Sequence, residues 1–260
     1  MVIYGRNPVK EALRSGQTVE KVFIQKGLKD PGLANIYKYM KDKQLVVTYV
    51  EKAKLDKMCE KGNHQGVAAT VTDFEYSTVE DIENLAKERN EDLMVLILDG
   101  INDPHNLGAI IRSAECFGVH GIIIPKHRSV TVNDTVVKVA CGATEHMMVA
   151  KVTNLNDTIR TLKEHNVWVY ATDFDGKTPS SVNLKGNIAF VIGSEGDGIS
   201  KLTKELCDET LTIPQYGEIN SLNASVATGI ILYEAIRQRR WKDQGHLTQK
   251  QIWIQKKLMN

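Results

Sequence analysis

The sequence predicts an α/β protein in two parts, a small α/β/α domain followed by a larger domain built on a parallel sheet. Three observations predict it. The chain has 260 residues, 42% of them hydrophobic, enough for one large domain or two ordinary ones with real cores. After residue 91, apolar runs such as "LMVLIL" and "IAFVI" alternate with amphipathic helical patterns. That alternation marks parallel strands covered on both faces. Charge also divides the chain: residues 1–72 hold 13 basic and 7 acidic side chains (+6), whereas residues 91–242 hold 15 and 18 (−3).

In the first part, Asn7 is placed to cap a helix with Pro8 at its first position, and Gly16 closes it. "VEKVFIQ" (19–25) reads as a strand, and Asp30-Pro31 opens a second helix. A strand over 45–50, a third helix from Glu51 and a third strand over 66–71 complete the domain, 1–72. The acidic stretch 73–90 reads as a linker ending in a polar helix. In the domain 91–242, strands are expected at 93–98, 121–124, 167–171, 188–192 and 210–213. Helices are expected at 106–117, 133–140, 155–165, 199–207 and 222–241. The tail 243–260 has no assigned role.

Composition excludes several classes. No apolar run approaches the roughly 18–20 residues of a membrane span, so no membrane role is expected. The N-terminus lacks a signal-peptide core. The four cysteines (Cys59, Cys116, Cys141, Cys207) lack CxxC spacing and read as buried free thiols in a reducing cytoplasm, not as metal ligands. A basic first module fits a polyanionic partner or, equally, a solvated lysine-rich surface.

Ligands of open α/β sheets bind beyond the carboxyl ends of the strands. Three such ends carry unusual turns: "DGINDPHNLGAIIR", "VIGSEGDGIS" and "IPQYGEINSLNAS". None is a phosphate-binding loop of known spacing, and a glutamate inside "GSEGDG" would repel a diphosphate. The second turn therefore suits a cationic or neutral ligand. Ser221 is an available helix cap, although capping alone leaves Asn223 and the long loop from Pro214 unexplained. Asp99, Asp103 and His105 make a weak metal set, because Asp-Pro before a helix is ordinary turn chemistry. Glu195 could simply serve a helix dipole. Arg112 lies among Ala109, Ile110, Ile111, Ala114 and Phe117, which predicts a largely buried helix and an anionic partner for the arginine.

The three turns, in this order, resemble the motifs of the SpoU/TrmH family of the SPOUT superfamily, S-adenosylmethionine-dependent RNA ribose 2′-O-methyltransferases. Residues 1–72, ending in "HQGVAATV", resemble the ribosomal-protein-like RNA-binding domain found before many members. The stretch 125–155 is similar to the bacterial branch that methylates a guanosine in 23S rRNA. The resemblance implies a C-terminal trefoil knot, which general topology rules alone would argue against. It carries over Asn106 and Arg112 from the first motif, Glu195 from the second, and Ser221 and Asn223 from the third as catalytic residues. It places S-adenosylmethionine against Gly193, Ile213 and Leu222.

Methyl transfer to a ribose hydroxyl requires the nucleophile to lose its proton. Arg112 is cast in the family as general base. A guanidinium stays protonated at neutral pH, so it could instead bind a phosphate and stabilise the alkoxide, with a phosphate oxygen or Glu195 relaying the proton. Helix 222–241 is apolar nearly all round from Ala224 to Ile236, more than one core face needs, which suggests a homodimer interface. Other readings are a tRNA or adenosine-directed rRNA 2′-O-methyltransferase, or a non-catalytic RNA-binding ribosome-assembly factor.

Overall fold

Two sheets organise the chain. The computed structural model describes residues 2–14, 18–28, 30–42, 45–72, 74–194, 196–218 and 221–240. The first sheet is mixed. β1 (Val2–Tyr4) and β2 (Thr18–Gln25) run antiparallel to β4 (Val67–Thr72), and β3 (Val47–Val50) runs parallel to β2. Side chains alternate across β2, so Val22 and Ile24 meet α1 (Arg6–Arg14) and α2 (Ala34–Asp42), while Phe23 meets Leu55 of α3 (Lys52–Met58). Helices on both faces give the expected α/β/α layering.

The second sheet has the order β10-β8-β9-β5-β6-β7, with every pair parallel. Its strands are β5 (Met94–Asp99), β6 (Gly121–Pro125), β7 (Met148–Val152), β8 (Trp168–Lys177), β9 (Ile188–Gly193) and β10 (Glu209–Leu211). Met94, Leu96 and Leu98 face α5 (Pro104–Cys116), α6 (Asp134–Ala140) and α9 (Ala224–Arg240). Val95 and Ile97 face α4 (Val79–Glu88) and α7 (Leu155–Glu164), with Leu206 of α8 (Lys201–Leu206) at the margin. The run "LMVLIL" is thus apolar because both faces of β5 are covered.

Several boundaries differ from expectation. α1 starts at Arg6, and the Val9 N–H bonds the Gly5 carbonyl, so Asn7 is not its cap and Pro8 is its third residue. Gly16 lies outside the described residues, as does the tail 243–260. β1 and β7 escaped the pattern, β1 by its three-residue length and β7 because Lys151 breaks its apolar run. Residues 74–90 are no free tether. Ser77 donates to the Val149 carbonyl, and Ile82 and Ala86 of α4 are buried in the second domain. Among the described residues, no helix is long and apolar enough to cross a membrane.

Candidate active site

The first turn is built from β5 and α5. Asp103 caps α5 by accepting the His105 N–H, with Pro104 at the first helical position. The Asp99 carboxylate at the end of β5 accepts the Ser200 N–H at 2.9 Å and so ties the first turn to the second. The second turn folds back on itself, with reciprocal backbone hydrogen bonds between Ser194 and Gly198. This return passes so close to β9 that a Cβ on Gly193 would lie 2.3 Å from the Gly198 carbonyl carbon. Only glycine fits there. Glu195 lies outside the described residues.

The third turn enters α9, and its cap is Asn223, not Ser221. The Asn223 Oδ1 accepts the Ser225 and Val226 N–H groups, while Ser221 stays exposed. The Asn223 Nδ2 donates to Oδ1 of Asn106 at 2.8 Å. Asn106 is 7% exposed. One side chain therefore caps α9 and joins the third turn to the first.

Beyond the ends of β8, β9 and β10 lies a cleft that is partly open to solvent. Gly193, Ser194 and Gly198 supply one wall, Ile213 and Gln215 another, and Ser221, Leu222, Ala227 and Ile231 the third. Gly193, Ile213 and Leu222 all line this cleft. The sequence reading missed Thr172, Asp173 and Phe174, because it ended the strand at 171 while β8 continues to Lys177 along the cleft. The signal was the polar but β-compatible "TDF" after "VWVYA". The Lys204 ammonium hydrogen-bonds Asp173 at 2.6 Å and holds its carboxyl below the usual range. A largely apolar lining, with the one rim carboxylate neutralised by Lys204, suits a small molecule with apolar surface.

Arg112 is exposed, contrary to expectation. The helical period sends Leu107, Ile110, Ile111 and Ala114 to the core and turns Arg112 outward. Its NH1 lies 3.6 Å from Sγ of Cys141 at the end of α6. Asn106 and Arg112 are six residues apart, which puts them about 9 Å apart along the axis and on different faces. The structure brings Asn106 and Asn223 together and leaves Arg112 outside that pair. The cysteines differ too: Cys59 is buried, but Cys116 and Cys141 are exposed, while burial pushes the Cys207 thiol up to about 12. Among the described residues, no three His, Cys, Asp or Glu side chains form a metal-sized group.

A parallel sheet with a small-molecule cleft at its carboxyl edge, preceded by a basic α/β/α module, defines a two-module ligand-binding α/β protein. Comparison with known proteins narrows this class. Residues 93–233 match the SpoU rRNA methylase family, and residues 2–77 match the RNA 2′-O ribose methyltransferase substrate-binding domain. A Staphylococcus aureus protein of the TrmH tRNA/rRNA methyltransferase family is 45% identical over 239 residues, covering 92% of this chain and 96% of its own. A Staphylococcus haemolyticus relative with the same description is 44% identical over 240 residues, again covering 92% and 96%. Among solved structures, the SpoU methyltransferase AviRb from Streptomyces viridochromogenes, in complex with AdoMet, aligns with a TM-score of 0.57 at 24% identity, covering 92% of this chain and 90% of that one. The A. aeolicus TrmH/SpoU tRNA modifying enzyme aligns at 0.54 and 28% identity over 68% of this chain and 95% of its own. The chain belongs to the SpoU rRNA methylase family and is an RNA methyltransferase.

Proposed function

We propose that this protein transfers a methyl group from S-adenosylmethionine to the ribose 2′-hydroxyl of a guanosine in 23S rRNA, in the cytoplasm, as a homodimer. The hydrogen bond from Asn223 to Asn106 carries this reading, because it ties the first motif to the turn whose Leu222 and Ala224 line the cleft. The cleft fits the donor. Leu211, Ile213, Leu222 and Ile231 offer apolar surface, and the second and third turns offer backbone groups for hydrogen bonds. When bound, the donor supplies a methyl group on a positively charged sulfonium, a leaving group that needs no proton.

The chain's own groups then have two tasks, to hold the ribose and to manage its proton. Asn106 and Asn223 are assigned to the ribose side of the cleft, with Ser221 at its mouth. Arg112 presents an exposed guanidinium that can hold an RNA phosphate and stabilise the developing alkoxide. The proton passes to a phosphate oxygen or to Glu195, since the guanidinium of Arg112 is already protonated. The apolar residues left exposed on α9, Val226, Ile230 and Tyr233, support the dimer. A trefoil knot made by the C-terminal segment belongs to the same reading and rests on family likeness.

The relatives described as acting on tRNA or rRNA keep tRNA as a second reading. The +6 charge of residues 1–72 and the similarity of residues 125–155 to the 23S branch favour rRNA. Mapping 2′-O-methyl positions across rRNA and tRNA from cells with and without the protein tests the proposal. It predicts one missing mark, on a 23S guanosine. A missing tRNA mark would transfer the activity to tRNA.

A further inference from the structure

The two modules meet at a charged cluster that the methyl-transfer reaction does not use. Glu20 lies on β2 of the first module, with its side chain 5% exposed. Its carboxylate accepts from the Lys151 ammonium at 2.5 Å and from the Tyr76 hydroxyl at 2.7 Å. The Lys151 ammonium also sits 4.1 Å from the centre of the Tyr76 ring. Each of the three groups comes from a different part of the chain: the first sheet, the connecting segment, and β7 of the second sheet. Burial lowers the affinity of Lys151 for its proton, and Glu20 opposes that by attraction. An ion pair withdrawn from water is a poor source of stability but a strong constraint on geometry, because removing one partner leaves a buried charge alone.

The cluster also has an outlet toward the candidate site. The Tyr76 hydroxyl, while donating to Glu20, accepts the Val132 N–H at 3.0 Å. Val132 ends a loop whose Ser129 hydroxyl and Val130 N–H both bond the Ile101 carbonyl in the first turn. The next residue, Asn133, caps α6. α6 lies so close to α5 that a Cβ on Gly108 would be 2.7 Å from the Val139 Cβ. At the end of α6, Cys141 touches Arg112. Lys126, His127 and Arg128 lie on the same loop, and Lys126 is near enough to Lys151 to disfavour its charge. Lys151 is the penultimate residue of β7, so the first module docks at the carboxyl edge of the sheet, the edge that holds the cleft.

We propose that Glu20, Tyr76 and Lys151 are positioning residues: they fix the RNA-binding module at one orientation to the Arg112 helix pair, so that a large folded RNA engages both modules at once. This rests on the methyltransferase reading given above. The gain is one of effective concentration: an RNA held on the first module presents its ribose to the second without a further search. A short RNA that touches only the second module draws no benefit from the cluster.

The test uses the full-length protein and three measurements. They are S-adenosylmethionine affinity by calorimetry, kcat/KM for full-length 23S rRNA, and kcat/KM for a short stem-loop containing the mapped nucleotide. Glu20→Lys is expected to lower kcat/KM for the full-length RNA by about tenfold or more, the scale of losing a close charge pair. Cofactor affinity and the stem-loop rate should be unchanged. The reversed pair, Glu20→Lys with Lys151→Glu, should recover most of the loss, and Tyr76→Phe should reproduce it in milder form. Equal losses on both RNAs would reduce the cluster to a merely structural role and overturn the proposal, as would a wild-type rate on full-length RNA in Glu20→Lys. If the wild-type protein methylates neither RNA, the underlying reading fails instead. Filter-binding affinity for 23S rRNA then decides the cluster's role, and equal affinities of wild type and Glu20→Lys would overturn it.

Discussion

At the scale of single residues, Asn223 does more than its position suggests. Its Oδ1 caps α9 while its Nδ2 reaches Asn106. The two roles can be separated. Asn223→Asp keeps an acceptor for the cap but replaces the donor with a second oxygen facing the Asn106 Oδ1. We expect a loss of about 1–3 kcal/mol of stability, the cost of leaving the nearly buried Asn106 oxygen without its donor, and about a tenfold loss of turnover. Asn223→Ala should add the loss of the cap, about 1 kcal/mol of stability. A turnover equal to wild type in Asn223→Asp would remove the Asn106 contact from the mechanism. Arg112→Ala should lower turnover by roughly 10²–10³-fold while cofactor affinity barely changes, as for the loss of one charge-stabilising group. Near-normal turnover would exclude Arg112. The motifs carrying Asn106, Arg112 and Asn223 were legible in the sequence, but their surroundings were not. Arg112 was expected inside because its neighbours are apolar, yet helical phase set it outside. Ser221 was expected to cap because it comes first, yet α9 begins at Ala224.

At the scale of elements, α9 serves two surfaces. Ala224, Ala227 and Ile231 line the cleft, whereas Val226, Ile230 and Tyr233 face outward at 41–49% exposure. If that outward stripe is a dimer interface, Ile230→Asp buries an unpaired charge and should yield monomers that also lose cofactor affinity. Sedimentation read beside calorimetry checks both. A wild-type protein that is monomeric at micromolar concentration would contradict the interface. Element type was readable where apolar periodicity was unbroken, as in β5, β6, β9 and α7. It failed where a polar residue served the other module, as Lys151 does in β7, and where a strand ran on past its apolar core, as β8 does through Asp173 and Phe174. Those are contacts between distant parts of the chain, which local pattern does not record.

At the scale of the whole molecule, a basic module is docked on a slightly acidic catalytic domain. Lys54, Lys57 and Lys61 are exposed on or just after α3. Replacing all three with Gln should flatten the log–log salt dependence of RNA affinity by about 2, since each phosphate contact contributes roughly 0.7–0.9 to the slope. Cofactor affinity should stay as it was, because the cleft lies wholly beyond residue 171. An unchanged slope would make this face a solvated surface only. The two-module plan was visible from the change in charge and pattern near residue 73. The docking between the modules was not, because it depends on Glu20, Tyr76 and Lys151 meeting across more than a hundred residues of chain. The central claim is that the cleft delivers a methyl group to an RNA ribose. Purified protein, S-adenosylmethionine with an isotopically labelled methyl group, and unmodified 23S rRNA test it directly, with the digested RNA read by mass spectrometry. The account predicts label on a single nucleoside, 2′-O-methylguanosine; label on a base, or none on the RNA, would contradict it.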